Sequence, residues 1–538
     1  MWELLEHAAA RWPEAPALTS NEELWSFADL REAACAAADR LSSLGIGRGD
    51  KVAVWAANVP EWIFLEFGLP RLGAVLVTAN TALGVDDLTY LLRDSDAKAL
   101  VVGREVKGND LRAILSGVDR RALPRLKHVV LAEEREVGSE GDTDPALSGV
   151  SPDPVPARPA TGPLSDAVVY EDLPIATPHV PPAEVRLDDL INMQYTSGTT
   201  GFPKGVMLSS RNIVNNGWAI GRELGLGPED RVLCQVPLFH CFGCVIAVLG
   251  AYTHGASVHL TRTFDPLESL RTIDRRKITT IYGVPTMFQA LLDHAESDRF
   301  RVESLRTGMM AGAVCPPSLM RRLIDRWGVR EMAVGYGLTE TSPAVTITPR
   351  SDPPEERCGT VGVELPGVEV RLVDPDTGED GERGELWVRG ELVMLGYYGN
   401  PEATAETITP EGWLRSGDLA ERLPGGRYRI VGRLKEMILR GGENVYPAEV
   451  EQAIRRHPQV AEVAVFGIPD ERLGEQVACA IVPRPGAGLT AAELDAFLRE
   501  RIARTKIPRR IEFVDALPLT ASGKVQRYVL TERFGQVV

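Results

Sequence analysis

A chain of 538 residues is too long for one compact core, so its length favours roughly two to four domains. Hydrophobic residues make up 44% of it and charged residues 25%, which is typical of a soluble globular protein. The net charge of −16 argues against general affinity for nucleic acids. The N-terminal segment WELLEHAAARWP lacks the basic start and apolar core of a signal peptide, and the longest apolar run, CVIAVLGAY, is too short to cross a bilayer. We therefore expect a cytoplasmic location.

The first part of the chain, to about Leu131, alternates helical and strand-like patterns. The amphipathic segment FADLREAACAAADRLSSLG is followed by the short apolar runs KVAVWAA, AVLVTA and ALVVG. This alternation is typical of an α/β domain in which helices cover a mainly parallel sheet. From Glu133 to about Pro163 the composition shifts to Ser, Pro, Gly and Asp, which predicts an exposed surface loop.

The stretch YTSGTTGFPKG, from Tyr195 to Gly205, lies between the strand-like runs INMQYT and GVMLS. Glycines allow close backbone approach to a ligand, Lys204 adds a point charge, and hydroxyl groups come from Thr196, Ser197, Thr199 and Thr200. These features predict a phosphate-binding loop, although the P-loop pattern GxxxxGK[ST] is not met. The alternative is a solvated hairpin without a ligand. A helix is predicted to begin near Ser209 or Ser210.

The seven cysteines are an odd number and predict reduced thiols rather than a disulfide framework. Cys241 and Cys244, with His254 and His259 further on, imitate the ligand spacing of a zinc finger. The intervening run VIAVLGAYT is apolar where a finger would have polar turn residues. We therefore expect buried core cysteines.

Strands and helices alternate again after the phosphate-loop stretch. Two glycine-rich turns, Ala311–Ala313 and Tyr336–Gly337, follow strand-like runs and are candidate edges of a ligand site, because ligands of open parallel sheets bind beyond the carboxyl ends of the strands. Past residue 360, short β runs with glycines predict a small antiparallel or barrel-like part. The last hundred or so residues look like a small α+β domain.

Five further stretches carry a family resemblance: PLFHCFG around His240, YGLTETSP at 336–343, WLRSGDL near Asp418, GRLKEMILRGGENVYPAEVE from Gly432, and LPLTASGKVQR around Lys524. In this order and spacing they resemble the adenylate-forming enzymes, which include acyl-CoA synthetases, peptide-synthetase adenylation domains and firefly-type luciferases. The likeness covers nearly the whole chain and is greatest to medium- or long-chain fatty acyl-CoA synthetases.

The resemblance implies an α/β protein with a large N-terminal domain, residues 1–434, built of helix-covered mainly parallel sheets plus a small β-barrel-like part. A small mobile α+β domain, residues 435–538, would follow a hinge near Lys435. The large domain would hold the ATP and acyl sites, and the small domain would carry the catalytic lysine and a channel for coenzyme A.

The activity implied is that of an AMP-forming acid–thiol ligase using ATP, Mg²⁺ and coenzyme A. A carboxylic acid and Mg-ATP would give an acyl-adenylate and pyrophosphate, and the CoA thiol would then displace AMP. Open alternatives are an enzyme that loads a carrier protein's phosphopantetheine, an aryl or alicyclic acid–CoA ligase, a luciferase-like oxygenase, and a non-catalytic acyl-nucleotide-binding relative. We expect no nucleic-acid partner and no transmembrane segment, and a homodimer stays open.

The resemblance also implies roles for individual residues. Catalysis is expected from Lys524, Glu340 and Thr196, with Glu340 also as a ligand of Mg²⁺. The residues implied for ATP or AMP binding are Thr196, Ser197, Gly198, Thr199, Thr200, Gly201, Lys204, Gly312, Ala313, Tyr336, Gly337, Thr339, Asp418, Arg433 and Lys524. Those implied for the acyl group are His240, Phe242, Gly243, Gly335 and Leu338, and those for the CoA channel are Gly441, Gly442 and Glu443.

Four of these roles have ordinary structural alternatives. Glu340 is alternatively an exposed turn glutamate, and Asp418, expected to accept the ribose hydroxyls, a turn-capping aspartate. Lys524 is alternatively a solvated surface lysine, and His240 a core histidine. The family usually has threonine where Ser416 stands, a change that keeps the hydroxyl.

The substrate class rests on the segment VPLFHCFGCVIAVLG, which contains no charged residue and predicts an apolar acyl pocket. Amino-acid adenylation domains usually place an aspartate near here, and this chain has none. Aliphatic acids of medium or long chain fit best, while aromatic and alicyclic acids stay open. A basic run on the small domain is either a contact for CoA phosphates or a solvated helix face: Arg499, Arg501, Arg504, Lys506, Arg509 and Arg510.

Overall fold

A computed structural model describes residues 1–132, 164–196, 203–313, 315–441, 443–519 and 525–535. The predicted surface loop at 133–163 lies outside the described residues. The same is true of seven predicted site residues: Ser197, Gly198, Thr199, Thr200, Gly201, Gly442 and Lys524.

The α-helices of the described residues, in chain order, are α1 (Trp2–Arg11), α2 (Phe27–Ser43), α3 (Pro60–Arg71), α4 (Val85–Asp94), α5 (Leu111–Ser116), α6 (Ser210–Glu223), α7 (Gly250–Tyr252), α8 (Pro266–Arg276), α9 (Pro285–Asp293), α10 (Pro317–Trp327), α11 (Pro354–Arg357), α12 (Pro401–Thr407), α13 (Pro447–Ile454), α14 (Ala491–Arg499) and α15 (Arg527–Phe534). Shorter or differently wound helical segments are a π-helix at Phe242–Leu249 and 3₁₀ turns at Arg120–Ala122, Ser297–Arg299, Thr339–Thr341 and Leu434–Glu436.

The strands, in chain order, are β1 (Pro16–Ser20), β2 (Glu23–Ser26), β3 (Lys51–Trp55), β4 (Val75–Thr78), β5 (Ala99–Val102), β6 (Glu105–Val106), β7 (Asn109–Asp110), β8 (His128–Leu131), β9 (Val168–Val169), β10 (Leu190–Thr196), β11 (Lys204–Ser209), β12 (Arg231–Cys234), β13 (Ser257–Leu260), β14 (Thr280–Gly283), β15 (Thr307–Met310), β16 (Glu331–Gly337), β17 (Ala344–Ile347), β18 (Val363–Glu364), β19 (Val368–Val373), β20 (Arg383–Gly390), β21 (Gly396–Tyr397), β22 (Leu414–Leu423), β23 (Arg427–Arg433), β24 (Ile438–Arg440), β25 (Glu443–Val445), β26 (Val460–Asp470), β27 (Gly474–Pro483) and β28 (Arg510–Phe513).

Two large sheets form the main body. Within the described residues, one has the order β21-β11-β10-β4-β3-β5-β8-β9 and the other β18-β17-β16-β15-β14-β12-β13-β1-β2. Their central strands are parallel, whereas β11, β21, β17, β18 and β2 run antiparallel at the edges. Strands of both sheets share one apolar core with α1, α2, α3 and α6. The predicted helix-covered, mainly parallel architecture is confirmed.

Two smaller sheets follow in the chain. The strands β19-β20-β22-β23 pair antiparallel throughout, as the glycine-punctuated sequence past residue 360 predicts. The last sheet has the order β25-β24-β27-β26, with β28 parallel to β27, and it packs with α13 and α14 around a separate apolar core. This confirms the predicted small α+β C-terminal domain.

The helix after the phosphate-loop stretch begins where the sequence predicts. Ser209 is its N-cap, and its hydroxyl accepts the backbone N–H of Asn212 while the Asn212 side chain accepts the backbone N–H of Ser209. This reciprocal capping satisfies two N–H groups that would otherwise lack partners.

The apolar run predicted as a helix adopts π-helical winding at Phe242–Leu249 before continuing into α7. All eight of its residues are buried, which explains why the sequence is apolar on every side. Cys241 and Cys244 are buried here, as the core interpretation predicts. In the part of the chain that the structure describes, His, Cys, Asp and Glu nowhere form a group of three or more suited to a metal ion. Among the same residues, we find no helix with the length and apolar character needed to cross a membrane.

His179 ties the segment that follows the predicted surface loop to α2. Its Nδ1 lies 2.5 Å from Oδ2 of the buried Asp39, and its Nε2 lies 3.1 Å from Oε2 of Glu32. Asp39 also accepts the backbone N–H groups of Ala176 and Val180. The hydrogen bond to Asp39, opposed by partial burial and aided by Glu32, raises the pKa of His179 above its usual value of 6.5.

This cluster makes stability depend on pH. Because folding raises the pKa of His179, its stabilising contribution is complete below the usual pKa and is lost as the pH rises through the folded-state pKa. We expect His179→Gln to lower stability by about 1 kcal/mol near pH ~5.5 and by clearly less near pH ~9, measured from urea unfolding midpoints. His7→Gln, at an exposed position of α1, is the matched control. An equal loss at both pH values would contradict the assignment.

Candidate active site

The base of the predicted phosphate loop is a fixed hairpin. β10 and β11 pair antiparallel, with Thr196 opposite Lys204. Tyr195 donates its hydroxyl to Asp94 over 2.7 Å, and Tyr90 donates to the carbonyl of Pro203 over 3.0 Å. Two side chains of α4 therefore hold the two ends of the loop in place.

Glu340 and Lys204 both contact Tyr397, a residue that the sequence does not predict to lie in the site. Glu340 lies in the 3₁₀ turn Thr339–Thr341, and its Oε1 accepts the hydroxyl of Tyr397 over 2.8 Å. The Nζ of Lys204 lies 4.8 Å from the centre of the Tyr397 ring. The only sequence signal for this residue is the tyrosine pair in LGYYGN, which has no helical or strand periodicity.

Asp418 is a buried carboxylate that contacts two other predicted nucleotide-site residues. Its carboxylate accepts the hydroxyl of Tyr336 over 2.7 Å and pairs with Nε of Arg433 over 2.8 Å. Asp418 is 3% exposed and lies opposite Arg433 in the β22–β23 pairing. Burial, and then the adjacent carboxylate, raise the pKa of Tyr336, and the same carboxylate raises the pKa of Arg433. The phenol of Tyr336 therefore stays protonated and donates to the carboxylate.

The turn that carries Asp418 is held by a second glutamate, also missed from the sequence. Glu385 accepts the backbone N–H of Gly417 over 2.9 Å with one oxygen and the indole N–H of Trp387 over 2.7 Å with the other. Ser416 accepts the backbone N–H of Asp418 over 3.0 Å. The hydroxyl that serine shares with the family's usual threonine therefore helps to hold the Asp418 turn. The stretch GELW, which contains Glu385, does not predict this contact by itself, because the contact depends on how the strands pair.

The two glycine-rich turns lie at the same end of the sheet. β15 and β16 are adjacent and parallel, so Gly312 and Ala313, after β15, lie at the carboxyl edge where Tyr336 and Gly337 end β16. A Cβ at Gly337 would lie 1.8 Å from the carbonyl oxygen of Pro343, so glycine is needed for this close approach. A Cβ at Gly335 would lie 2.5 Å from Sδ of Met309, and Leu338 follows as the N-cap of the Glu340 turn.

The predicted acyl residues lie next to this edge. His240 accepts the backbone N–H of Phe242 on Nδ1 over 3.1 Å, at the start of the π-helix, and Phe242 and Gly243 are buried within it. The thiol of Cys241 lies 4.0 Å from the hydroxyl of Thr339. The segment predicted to border the acyl group thus contacts the turn that carries Glu340.

The predicted hinge and channel residues occupy separate positions. Lys435 is exposed in the turn Leu434–Glu436, Gly441 follows β24 at φ +60°, and Glu443 is the first residue of β25. As far as the described residues go, no hydrogen bond or ion pair joins Gly441 or Glu443 to Asp418.

Most of the basic run on the small domain is paired with carboxylates. Arg499 contacts Asp495 at 2.5 Å and Arg501 contacts Glu500 at 3.3 Å. Lys506 contacts Glu449 at 2.6 Å and Arg510 contacts Glu512 at 2.8 Å. Such pairing favours the interpretation of a solvated, internally compensated surface over a dedicated phosphate site.

Comparison with known proteins gives one consistent family. Residues 5–398 match the family described as AMP-binding enzyme, and residues 449–524 match the AMP-binding enzyme C-terminal domain. YngI of Bacillus subtilis (strain 168), which carries the provisional name acyl-CoA synthetase, is 40% identical over 542 aligned positions, covering 98% of this chain and 96% of YngI. The mitochondrial medium-chain acyl-CoA ligase ACSF2 of Mus musculus is 37% identical over 547 positions, covering 99% of this chain and 87% of ACSF2.

The fold agrees with this sequence similarity. The crystal structure of the anthranilate CoA ligase AuaEII, in complex with anthranoyl-AMP, matches with a TM-score of 0.85 and 28% identity, over 99% of this chain and 96% of that one. The resemblance to adenylate-forming enzymes is confirmed. The chain belongs to the AMP-binding enzyme family, among its AMP-forming acyl-CoA synthetases and ligases.

Proposed function

We propose that this acyl-CoA synthetase activates a medium- or long-chain fatty acid through an acyl-adenylate and transfers the acyl group to coenzyme A. The observation that carries the proposal is the buried carboxylate of Asp418, held by Tyr336 and Arg433 at the carboxyl edge of β16. A buried carboxylate fixed from two sides is suited to accept hydroxyl groups of a ribose. One of its oxygens accepts the hydroxyl of Tyr336, the other pairs with Arg433, and each keeps capacity for a further hydrogen bond.

The residues around Glu340 suit a magnesium–nucleotide complex. Mg²⁺ is commonly bound by one or two carboxylates, together with phosphates of its substrate, through oxygen ligands. Glu340 supplies one carboxylate, and its Oε2 has no hydrogen-bond partner among the residues that the structure describes. A bound Mg²⁺ would neutralise phosphate charge, while Lys204 and Thr196, at the base of the hairpin, would position the phosphates that leave as pyrophosphate.

The acyl group is proposed to lie against His240, Phe242, Gly243, Gly335 and Leu338. The π-helix that carries Phe242 is entirely apolar and buried, which favours an aliphatic chain. The medium-chain name of ACSF2 supports this choice, whereas the match to AuaEII favours an aryl acid as the second candidate. An apolar pocket separates acids that differ by one methylene by only about 1–3 kcal/mol, so the substrate must be measured.

The two half-reactions require different groups at the same carbon. We propose a domain boundary at residues 434 and 435, with rotation at Lys435 that withdraws Lys524 and brings Gly441, Gly442 and Glu443 to line the CoA channel. Lys435 is exposed within a single 3₁₀ turn, so few contacts oppose a change of its backbone angles. Leu519 and Val525, which flank the Lys524 stretch, form a β-bridge on the C-terminal side of this boundary.

The proposal predicts pyrophosphate release that requires both an acid and CoA. We expect turnover with Mg-ATP to be greatest for medium- or long-chain acids in a panel that runs from short to long chains and includes anthranilate and benzoate. The measurement is coupled pyrophosphate release with and without CoA. Adenylate formation that CoA does not affect would instead indicate a carrier-protein acceptor, and inactivity with every acid would favour a binding-only relative.

Lys524→Ala is the catalytic control for this assay. A positioned ammonium lowers the repulsion between the attacking carboxylate and the α-phosphate, so its loss should slow adenylation by roughly 10²–10³-fold. Preformed acyl-adenylate should still react with CoA. Normal adenylation by the variant would refute the role of this lysine while leaving the ligase activity itself supported.

The hinge proposal separates the two half-reactions. Proline restricts backbone rotation, so Lys435→Pro should leave acid-dependent ATP–pyrophosphate exchange intact and slow thioester formation by at least about tenfold. Lys435→Ala, which removes the charge without restricting the backbone, should leave both half-reactions unchanged. An equal loss of both half-reactions in the proline variant would contradict the proposed rotation.

A further inference from the structure

Tyr397 is one buried side chain that contacts two charged residues of the proposed site. It is 7% exposed. Its hydroxyl donates to Oε1 of Glu340 over 2.8 Å, and the Nζ of Lys204 lies 4.8 Å from the ring centre. The tyrosine thus meets a carboxylate with its hydroxyl and an ammonium with its ring face, where the π electrons attract a cation.

The backbone around Tyr397 is held on both sides. Tyr397 pairs with Val206 in the β11–β21 ladder, and its own N–H donates to the hydroxyl of Thr404 over 2.9 Å. The preceding Gly396 has φ +134°, and a Cβ there would lie 2.8 Å from Cγ2 of Thr404. The direction of the tyrosine ring is therefore set by main-chain contacts of the protein itself.

The same segment fixes the neighbours of the ring. Met394 donates its backbone N–H to the carbonyl of Glu340 over 2.9 Å, and Tyr398 donates its own to the carbonyl of Gly205, next to Lys204, over 2.8 Å. One short stretch of chain consequently binds the Glu340 turn and the phosphate-loop hairpin together.

The hydroxyl contact orients Glu340. A carboxylate can only accept, so the phenol is the donor of this 2.8 Å hydrogen bond. With Oε1 held in this way, the carboxylate cannot rotate freely, and Oε2 keeps a defined direction. Over the described part of the chain, no ion pair joins Lys204 to Glu340, so the two opposite charges meet the same phenol without neutralising each other.

We propose that Tyr397 is a positioning residue that orients Glu340 toward a divalent cation and holds Lys204 toward a nucleotide phosphate. It acts through these two residues, and this role rests on the proposed function of the site. Removing the hydroxyl would free the carboxylate while leaving the ring under Lys204. Loss of the hydroxyl should therefore weaken the binding of the cation more than the binding of the nucleotide.

Tyr397→Phe tests this division. Loss of a hydrogen-bond partner behind a metal ligand typically costs 10–100-fold in metal affinity or activity. In the presence of ATP, we expect the dissociation constant of Mn²⁺, measured by electron paramagnetic resonance, to rise by about 10–100-fold. Acid-dependent ATP–pyrophosphate exchange should need correspondingly more Mg²⁺ and recover toward the wild-type rate at saturating Mg²⁺.

The adjacent tyrosine provides a matched control. Tyr398 donates its hydroxyl to Asp96 over 3.0 Å, accepts from Lys51 over 2.9 Å, and lies under the Lys51 ammonium at 4.7 Å. It therefore makes the same kinds of contact away from Glu340. Tyr398→Phe should leave Mn²⁺ affinity and Mg²⁺ dependence unchanged, and equal effects of the two variants would reduce Tyr397 to a structural role and overturn the proposal.

A double-mutant cycle completes the design. If Tyr397 acts through Glu340, Tyr397→Phe should add no further loss of Mn²⁺ affinity to Glu340→Gln. Unchanged Mn²⁺ affinity in the single Tyr397→Phe variant, or additive losses in the pair, would also overturn the proposal. A wild-type protein that binds Mn²⁺ and ATP but forms no acyl-adenylate would instead refute the proposed ligase activity, and the Mn²⁺ comparison would still decide the role of Tyr397.

Discussion

The geometry of the site depends on the contacts of one buried carboxylate, that of Asp418. It joins the phenol of Tyr336, at the end of the central strand β16, to the guanidinium of Arg433, at the end of β23. The contact therefore links the nine-stranded sheet to the four-stranded antiparallel sheet. The ion pair with Arg433 lies within the four-stranded sheet, and the hydrogen bond from Tyr336 crosses to the nine-stranded sheet. A buried carboxylate that loses a hydrogen-bond partner is destabilised, so this bond opposes a shift of the two sheets relative to each other.

The support for this carboxylate extends outward through Glu385 and the side chains stacked on Trp387. Glu385 holds the Gly417 N–H and the Trp387 indole, and Trp387 lies between the guanidinium groups of Arg371 and Arg415, at 4.7 and 4.8 Å from the ring centre. Planar guanidinium groups are weakly hydrated and stack well on indole. The turn that positions Asp418 is thus braced by a surface stack rather than by additional buried charges.

Local sequence features predict the elements of this protein better than they predict its contacts. The apolar runs before and after the phosphate loop form β10 and β11, and Ser209 caps α6, because both features depend on residues close in sequence. The motifs also place Tyr336, Asp418 and Arg433 in one site. Tyr397 could not be found in this way, since its contact with Glu340 spans 57 residues and depends on pairing of a two-residue strand with β11. Likewise, nothing in an all-apolar run distinguishes π-helical from α-helical winding, because both bury every side of it.

The order of residues along the chain suggests how one site can serve two reactions. Asp418 and Arg433 precede Lys435, as do Glu340, Lys204 and Tyr397, and these residues are joined by contacts within the large sheets and the antiparallel sheet. Gly441 and Glu443 follow Lys435 and belong to the C-terminal sheet or its turns, and the stretch that contains Lys524 lies beyond them. A rotation at Lys435 would therefore exchange the groups that follow it while the nucleotide contacts stay assembled. Arg433, two residues before Lys435, is paired with the buried carboxylate of Asp418. In the proposed rotation it would give the segment that turns a fixed point just before the hinge.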